Sequence, residues 1–208
     1  MRTEIDLKTW ERRELFAFFH TFEEPFHSVC VRVDCTATYQ FAKQHKLPVF
    51  LSMLHRSLAA AQQVESFRTF LEGDKVWLYD TVDGGSVVPR PNGTIGFGYY
   101  GYQQNLAAFV LEASQEWKRV AALNDLERRS QPNLIRYSVL PWLDFTSISH
   151  ARKFRKDDSS PRITFGKMTE SAGRRSMPVS IHVHHGLLDG LQVAQYLEHF
   201  QDMLHRPA

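Results

Sequence analysis

Ile181-His182-Val183-His184-His185-Gly186-Leu187-Leu188-Asp189-Gly190 runs a strand-forming segment into a turn bounded by two glycines. The helix-spaced apolar residues Val193, Tyr196, Leu197, Phe200 and Leu204 follow it. A strand, a turn and an amphipathic helix in this order build a layer of helix on sheet. Val179, Ile181 and Val183 share one strand face, with His185 at its end, while His182 and His184 project from the other. Three histidines in four positions suggest a metal, but this parity keeps them from converging on one ion without a bulge, so no metal is expected. His185, closing an apolar face, is partly desolvated, a setting suited to a general base. The same pattern also fits a core histidine with a satisfied hydrogen bond, and an Asp189 that merely caps the helix opening near Leu191.

Working outward, 134–140 and 162–165 read as strands, with a charged loop over 152–161 between them. Ser138 shares a strand face with Arg136, away from Ile135, Tyr137 and Val139. Leu106, Phe109, Val110, Ala113, Trp117 and Val120 mark a helix, and Pro48 opens another that continues through Ala61. Residues 75–79 are β-prone, and Asp83-Gly84-Gly85 reads as a turn into an irregular strand over 93–102. Nearer the N-terminus, His27, Val29, Val31 and Val33 alternate as a half-buried strand. Leu15, Phe18, Phe19 and Phe22 have the spacing of a helix face, with Asp6 ahead as its cap. The expected architecture is an α/β (α+β) two-layer sandwich, a mixed β-sheet with helices packed on one side, forming a single domain over 1–208. Neither a GxGxxG fingerprint nor a P-loop occurs in the right context, which sets dinucleotide and nucleoside triphosphate enzymes aside.

The 208 residues carry 25 Lys and Arg against 23 Asp and Glu, a net charge of +2, without the basic excess of a nucleic-acid binder. A hydrophobic share of 43% with 12% aromatics excludes a disordered chain. The longest clean apolar run, 106–111, is far short of the ~20 residues that span a bilayer. The acidic residues within 1–6 interrupt any secretory signal, so no membrane partner and a cytoplasmic location are expected. Cys30 and Cys35, oddly spaced, fall on different faces if both lie on a strand, which suggests neither a disulfide nor a CxxC site. The basic cluster of Arg152, Lys153, Arg155 and Lys156, offset by Asp157 and Asp158, reads as a solvated loop.

His184-His185-Gly186-Leu187-Leu188-Asp189-Gly190 matches the HHxxxDG signature of the chloramphenicol acetyltransferase family, shared with dihydrolipoamide acyltransferases and peptide-synthetase condensation domains. Asp6-Leu7-Lys8-Thr9-Trp10-Glu11-Arg12-Arg13-Glu14 resembles that family's D-x-K-x-W-x-R-R-E segment. Ser138-Val139-Leu140-Pro141-Trp142-Leu143-Asp144-Phe145 resembles its S-x-L-P-W-x-x-F segment, and Pro161-Arg162-Ile163-Thr164 a fourth. Together these motifs span nearly the whole chain.

The resemblance implies a homotrimer with active sites between neighbouring subunits. In a ternary complex there, acetyl passes from acetyl-CoA to a chloramphenicol hydroxyl, with no metal. By position, His185 matches the family's base and Ser138 its oxyanion donor. Thr164 matches a threonine that holds a water near the same oxygen, and Asp189 and Arg12 a supporting ion pair. Phe18 and Phe19 match the acceptor pocket and Trp142 the border of the CoA tunnel; for the two phenylalanines, core packing is the alternative that helical spacing leaves open. The chain departs from the family pattern at Phe19, where a tyrosine is usual, at His182 for a glutamine, and at Gly186 for alanine or serine. Leu191-Gln192 replaces an aromatic residue followed by histidine, and Met168 replaces a tyrosine often offered to the CoA adenine. These departures leave two rival expectations: an acyltransferase of the same fold acting on another hydroxylated small molecule, and a catalytically silent trimer that binds small molecules.

Overall fold

The computed structural model describes residues 1–152 and 158–206. A short strand β1 (Arg2–Glu4) and helix α1 (Arg13–Phe19) precede strand β2 (Phe26–Asp34) and helices α2 (Thr36–Gln44) and α3 (Val49–Gln62). After one 3-10 turn (Glu65–Arg68) come β3 (Thr69–Glu72), β4 (Lys75–Tyr79), β5 (Asp83–Pro89) and β6 (Ile95–Tyr100). Helix α4 (Leu106–Ala121) is followed by β7 (Leu134–Val139), β8 (Arg162–Phe165), β9 (Thr169–Ser171), β10 (Arg174–His184) and α5 (Gly190–His205).

The main sheet runs β2-β10-β8-β7-β5-β6, with β9 beside β10. The β5/β7 and β7/β8 pairs are parallel and the rest antiparallel, so the sheet is mixed as expected. Its inner face carries Ile135, Tyr137, Ile163, Phe165, Val179, Ile181 and Val183, all buried. Helices α3 and α5 cover it: Ser57 Oγ lies 2.8 Å from the Tyr137 hydroxyl and 2.6 Å from that of Tyr196, and Phe165 stacks on Phe200 at 6.0 Å. A separate three-stranded sheet, β1-β4-β3, was not anticipated, because β1 and β3 are too short to display an alternating period.

Two expected local features are corrected. Asp83-Gly84-Gly85 begins β5 instead of turning. A Cβ on Gly84 would stand 3.2 Å from Leu58 Cδ1 and 3.5 Å from Leu54 Cδ1, so this glycine lets α3 lie close on the sheet. Helix α1 starts beyond Arg12, which occupies its N-cap position, while Asp6 accepts from the Lys8 N–H at 2.9 Å in the preceding turn. The buried residue of α1 is Phe16, packed on Trp10 and His20; Leu15, Phe18 and Phe22 remain exposed. A helix of seven residues presents too little length for a continuous stripe, and one large side chain suffices to anchor it.

Cys35 lies past the end of β2, at the N-cap of α2, so the strand-face comparison with Cys30 does not apply; both thiols are free. The outer face of the sheet is covered by the segment 140–150, tied down by Leu140 N–H to Phe165 O and Lys167 N–H to Leu143 O, each 2.8 Å. Under this cover Thr164, Ser180 and His184 are buried although they point away from the helices. Of the basic cluster, Lys153, Arg155 and Lys156, with Asp157, lie outside the described residues. Among the described residues no helix is long and apolar enough to cross a membrane.

Candidate active site

Strand β10 stops at His184, and the next N–H, that of His185, donates to Pro25 O at 2.7 Å as the chain leaves the sheet. The N–H groups of Leu187 and Leu188 return to the His184 carbonyl at 3.0 and 3.2 Å, closing a tight turn. The His185 ring, half-buried, meets two others. Phe19 is stacked on it with centroids 4.0 Å apart and planes 11° from parallel, and His27 sits at 4.4 Å, inclined 46°. His185 Nδ1 is buried without a hydrogen-bond partner among the described residues.

Arg12 reaches this turn with both terminal nitrogens, Nη1 donating to Asp189 Oδ2 at 3.1 Å and Nη2 to the His185 carbonyl at 3.3 Å. Asp189 is at once ion-pair partner and helix cap. Its Oδ1 accepts the Leu191 N–H at 3.0 Å, and the Gln192 side chain returns to the Asp189 N–H at 2.9 Å to complete a capping box. Burial raises the Asp189 carboxyl's pKa, but the hydrogen bonds from Arg12 and the Leu191 N–H outweigh it and hold it below the usual range. The pair is only partly shielded, with side-chain exposures of 17% and 33%. Gln192 was not singled out from sequence, although Asp189-x-x-Gln192 is itself a capping-box signal.

The other two histidines of the cluster have separate surroundings. His184 Nδ1 accepts the Gly186 N–H at 3.1 Å, and burial pulls its pKa down to about 4. His182 is likewise lowered to about 4, first by burial and then by His150, Arg162 and Arg152; its ring stands edge-on to His150 at 4.8 Å. Among the described residues no group of three or more His, Cys, Asp or Glu is placed to hold a metal ion.

Ser138 and Thr164 are register partners on adjacent strands, and the row continues through Ser180 to Cys30. Ser138 is half-buried. Thr164 is fully buried, with its Oγ1 3.1 Å from His150 Nε2. His150 was missed because it lies on an irregular segment that gives no periodic signal. Trp142 and Phe18 are 77% and 57% exposed, so Phe18 does not pack in the core. The structure thus assembles one group of His185, Arg12, Asp189 and Phe19, and a second of Ser138 and Thr164. No hydrogen bond among the described residues of the chain links the two. Clefts of about 350 and 240 Å³ open beside Arg12 and beside Trp117, and neither is lined by His185 or Ser138.

The sequence model described as chloramphenicol acetyltransferase matches residues 1–201. The chain belongs to the chloramphenicol acetyltransferase family. It is therefore an acetyl-CoA-dependent acetyltransferase. A chloramphenicol acetyltransferase of Bacillus pumilus is 24% identical over 204 residues, covering 97% of this chain and 92% of the relative. Chloramphenicol acetyltransferase 3 of Escherichia coli is 24% identical over 204 residues, with 97% and 96% covered. A solved chloramphenicol acetyltransferase superposes with a TM-score of 0.86 at 30% identity, covering 98% of this chain and all (100%) of that one. The dihydrolipoamide acetyltransferase of Azotobacter vinelandii, 16% identical with a TM-score of 0.68 over 88% of this chain and 82% of its own, shares the fold.

Proposed function

We propose that the chain acts as one domain over 1–208 and O-acetylates chloramphenicol, with His185 as general base and Ser138 as oxyanion donor. The observation that carries this reading is the His185 ring, flanked by Phe19 and His27 and free of any side-chain hydrogen bond among the described residues, on a turn tied to Arg12. A ring nitrogen of His185 takes the proton of the acceptor hydroxyl as its oxygen attacks the thioester carbonyl. The new C–O bond forms, the C–S bond breaks, and the proton passes from the imidazole to the departing CoA sulfur. The Ser138 hydroxyl donates to the carbonyl oxygen while negative charge builds there, in a ternary complex without a covalent enzyme intermediate. Thr164, bonded to His150, supports the same oxygen through a held water, and the Asp189–Arg12 pair keeps the turn in shape.

The same reading makes the enzyme a cytoplasmic homotrimer without a metal, its sites between subunits, Phe18 and Phe19 against the acceptor and Trp142 against CoA. The exposure of Phe18, Trp142, Leu143 and Leu191, and the lack among the described residues of a hydrogen bond joining Ser138 to His185, support a site completed by a neighbour. Purified protein with acetyl-CoA and chloramphenicol should release CoA thiol, and His185→Ala should abolish that release. Turnover only with a different alcohol would identify an acyltransferase for another hydroxylated acceptor, a reading favoured by the His150 imidazole on Thr164 and the missing phenol at Phe19. Ligand binding without any transfer would identify a silent binding trimer.

A further inference from the structure

The register of β2 on β10 sets His27 opposite Val183, on the helix-facing side of the sheet and at the edge where the chain turns away toward His185. His27 is half-buried there. Its Nε2 is 3.4 Å from the Leu188 carbonyl oxygen, within the same turn that carries His185. Burial lowers the pKa of His27 first and the neighbouring His185 second, against weaker opposition from the Leu188 carbonyl and Asp189, so the ring is uncharged at neutral pH and can donate its Nε2–H to Leu188.

A base must present its nitrogen in one orientation, and a histidine ring turns about two torsions unless something fixes them. That restraint is usually supplied by a carboxylate or backbone carbonyl oxygen that accepts a hydrogen bond from the second ring nitrogen. Here His185 Nδ1 has no such partner among the described residues, and Asp189 is occupied by Arg12 and the Leu191 N–H. What bounds the ring is aromatic surface, Phe19 stacked at 4.0 Å and His27 inclined at 4.4 Å. Phe19 comes from the end of a short helix, whereas His27 sits on a strand in the sheet and is anchored to the turn.

We infer that His27 is a positioning residue that, together with Phe19, holds the His185 imidazole in its working plane. The inference rests on His185 being the base. It assigns His27 no contact with the reacting atoms and no proton to carry. A residue that sets the angle of a base alters kcat and leaves the affinity for acetyl-CoA nearly untouched.

The test compares His27→Ala, which removes the wall, with His27→Phe, which restores a ring. With chloramphenicol as acceptor, His27→Ala should lower kcat by about tenfold with the KM for acetyl-CoA within about twofold, and His27→Phe should recover kcat to within about threefold. In parallel, protein labelled with carbon-13 at the histidine Cε1 positions, with the His185 resonance identified from His185→Gln, should show that resonance displaced or broadened in His27→Ala and near its wild-type position in His27→Phe. Wild-type kcat in His27→Ala, a loss confined to KM, or an unmoved His185 resonance would overturn the inference. The resonance measurement needs no turnover. If His185→Ala retains activity, the assignment of the base fails, while the effect of His27 on the His185 ring is still decided by the spectrum.

Discussion

Phe19 lies flat on the His185 imidazole, ring centroids 4.0 Å apart and planes 11° from parallel, although the two residues belong to opposite ends of the chain. The helix spacing that drew attention to Phe19 left a buried apolar stripe open, but the side chain is only half-buried and meets His185 alongside the exposed Phe18 and Phe22. Phe19→Ala should therefore reduce kcat/KM for acetyl transfer by about tenfold with little change in thermal stability, and Phe19→Tyr should keep most of the activity. Thiol release and a melting curve measured on the same preparations check this, and a large stability loss with normal kcat/KM would contradict it.

Asp189 performs two tasks that substitution can separate. Asparagine retains an oxygen for the Leu191 N–H but not the charge facing Arg12, while alanine removes both. A pair this exposed falls below the range for fully buried pairs, so Asp189→Asn should cost about 1 kcal/mol and Asp189→Ala about 2 kcal/mol. Arg12→Ala should match Asp189→Asn in stability and share its loss of activity, because each frees the His185 turn. Urea unfolding of the three variants decides the order, and equal midpoints for the two Asp189 variants would remove the cap from the account.

Gly186 gives way poorly to a side chain. A Cβ there would meet His184 Cε1 at 3.0 Å, His184 Nδ1 at 3.2 Å and Phe16 Cδ2 at 3.3 Å. Gly186→Ala should destabilise by about 1–3 kcal/mol through overpacking and should weaken the His184–Gly186 hydrogen bond. A melting temperature equal to that of the parent would show that the turn relaxes freely.

His184, with a folded-state pKa of about 4, makes stability depend on acidity. Its unfolded value is 6.5, so between these limits the unfolded chain takes up a proton that the folded one refuses. Stability is complete above pH 6.5 and declines as pH falls toward 4, by about 2 kcal/mol at pH 5 for this fully buried ring alone. Urea midpoints at pH 7.5 and pH 5 should differ accordingly. His184→Asn, which can still accept from the Gly186 N–H but does not titrate, should reduce that difference, leaving the share of other depressed histidines such as His182.

Long periodic segments announced themselves in the sequence: α3, α4, α5 and strand β7 fall within a residue or two of the positions that patterning proposed. Where a segment is short or its partner distant, patterning lost its grip. Helix α2 begins Thr36-Ala37-Thr38-Tyr39, where the two threonines and the tyrosine disfavour helix, and it forms because Thr38 and Ala42 are buried there. Gly84 looked like a turn residue, since a glycine required by a neighbouring helix carries the same letter as one required by a bend. Arg12, Asp189 and His185 converge in space as the motifs implied, and Gln192 was legible in the capping-box spacing from Asp189, whereas the contributions of His27 and His150 depend on register and loop path that no local pattern encodes.

The guanidinium of Arg12 closes on a carboxylate 177 positions further along. During translation, then, the early helix has nothing to clasp until residue 189 has left the ribosome. The clasp between these two distant motifs is thus made only after both have been synthesised.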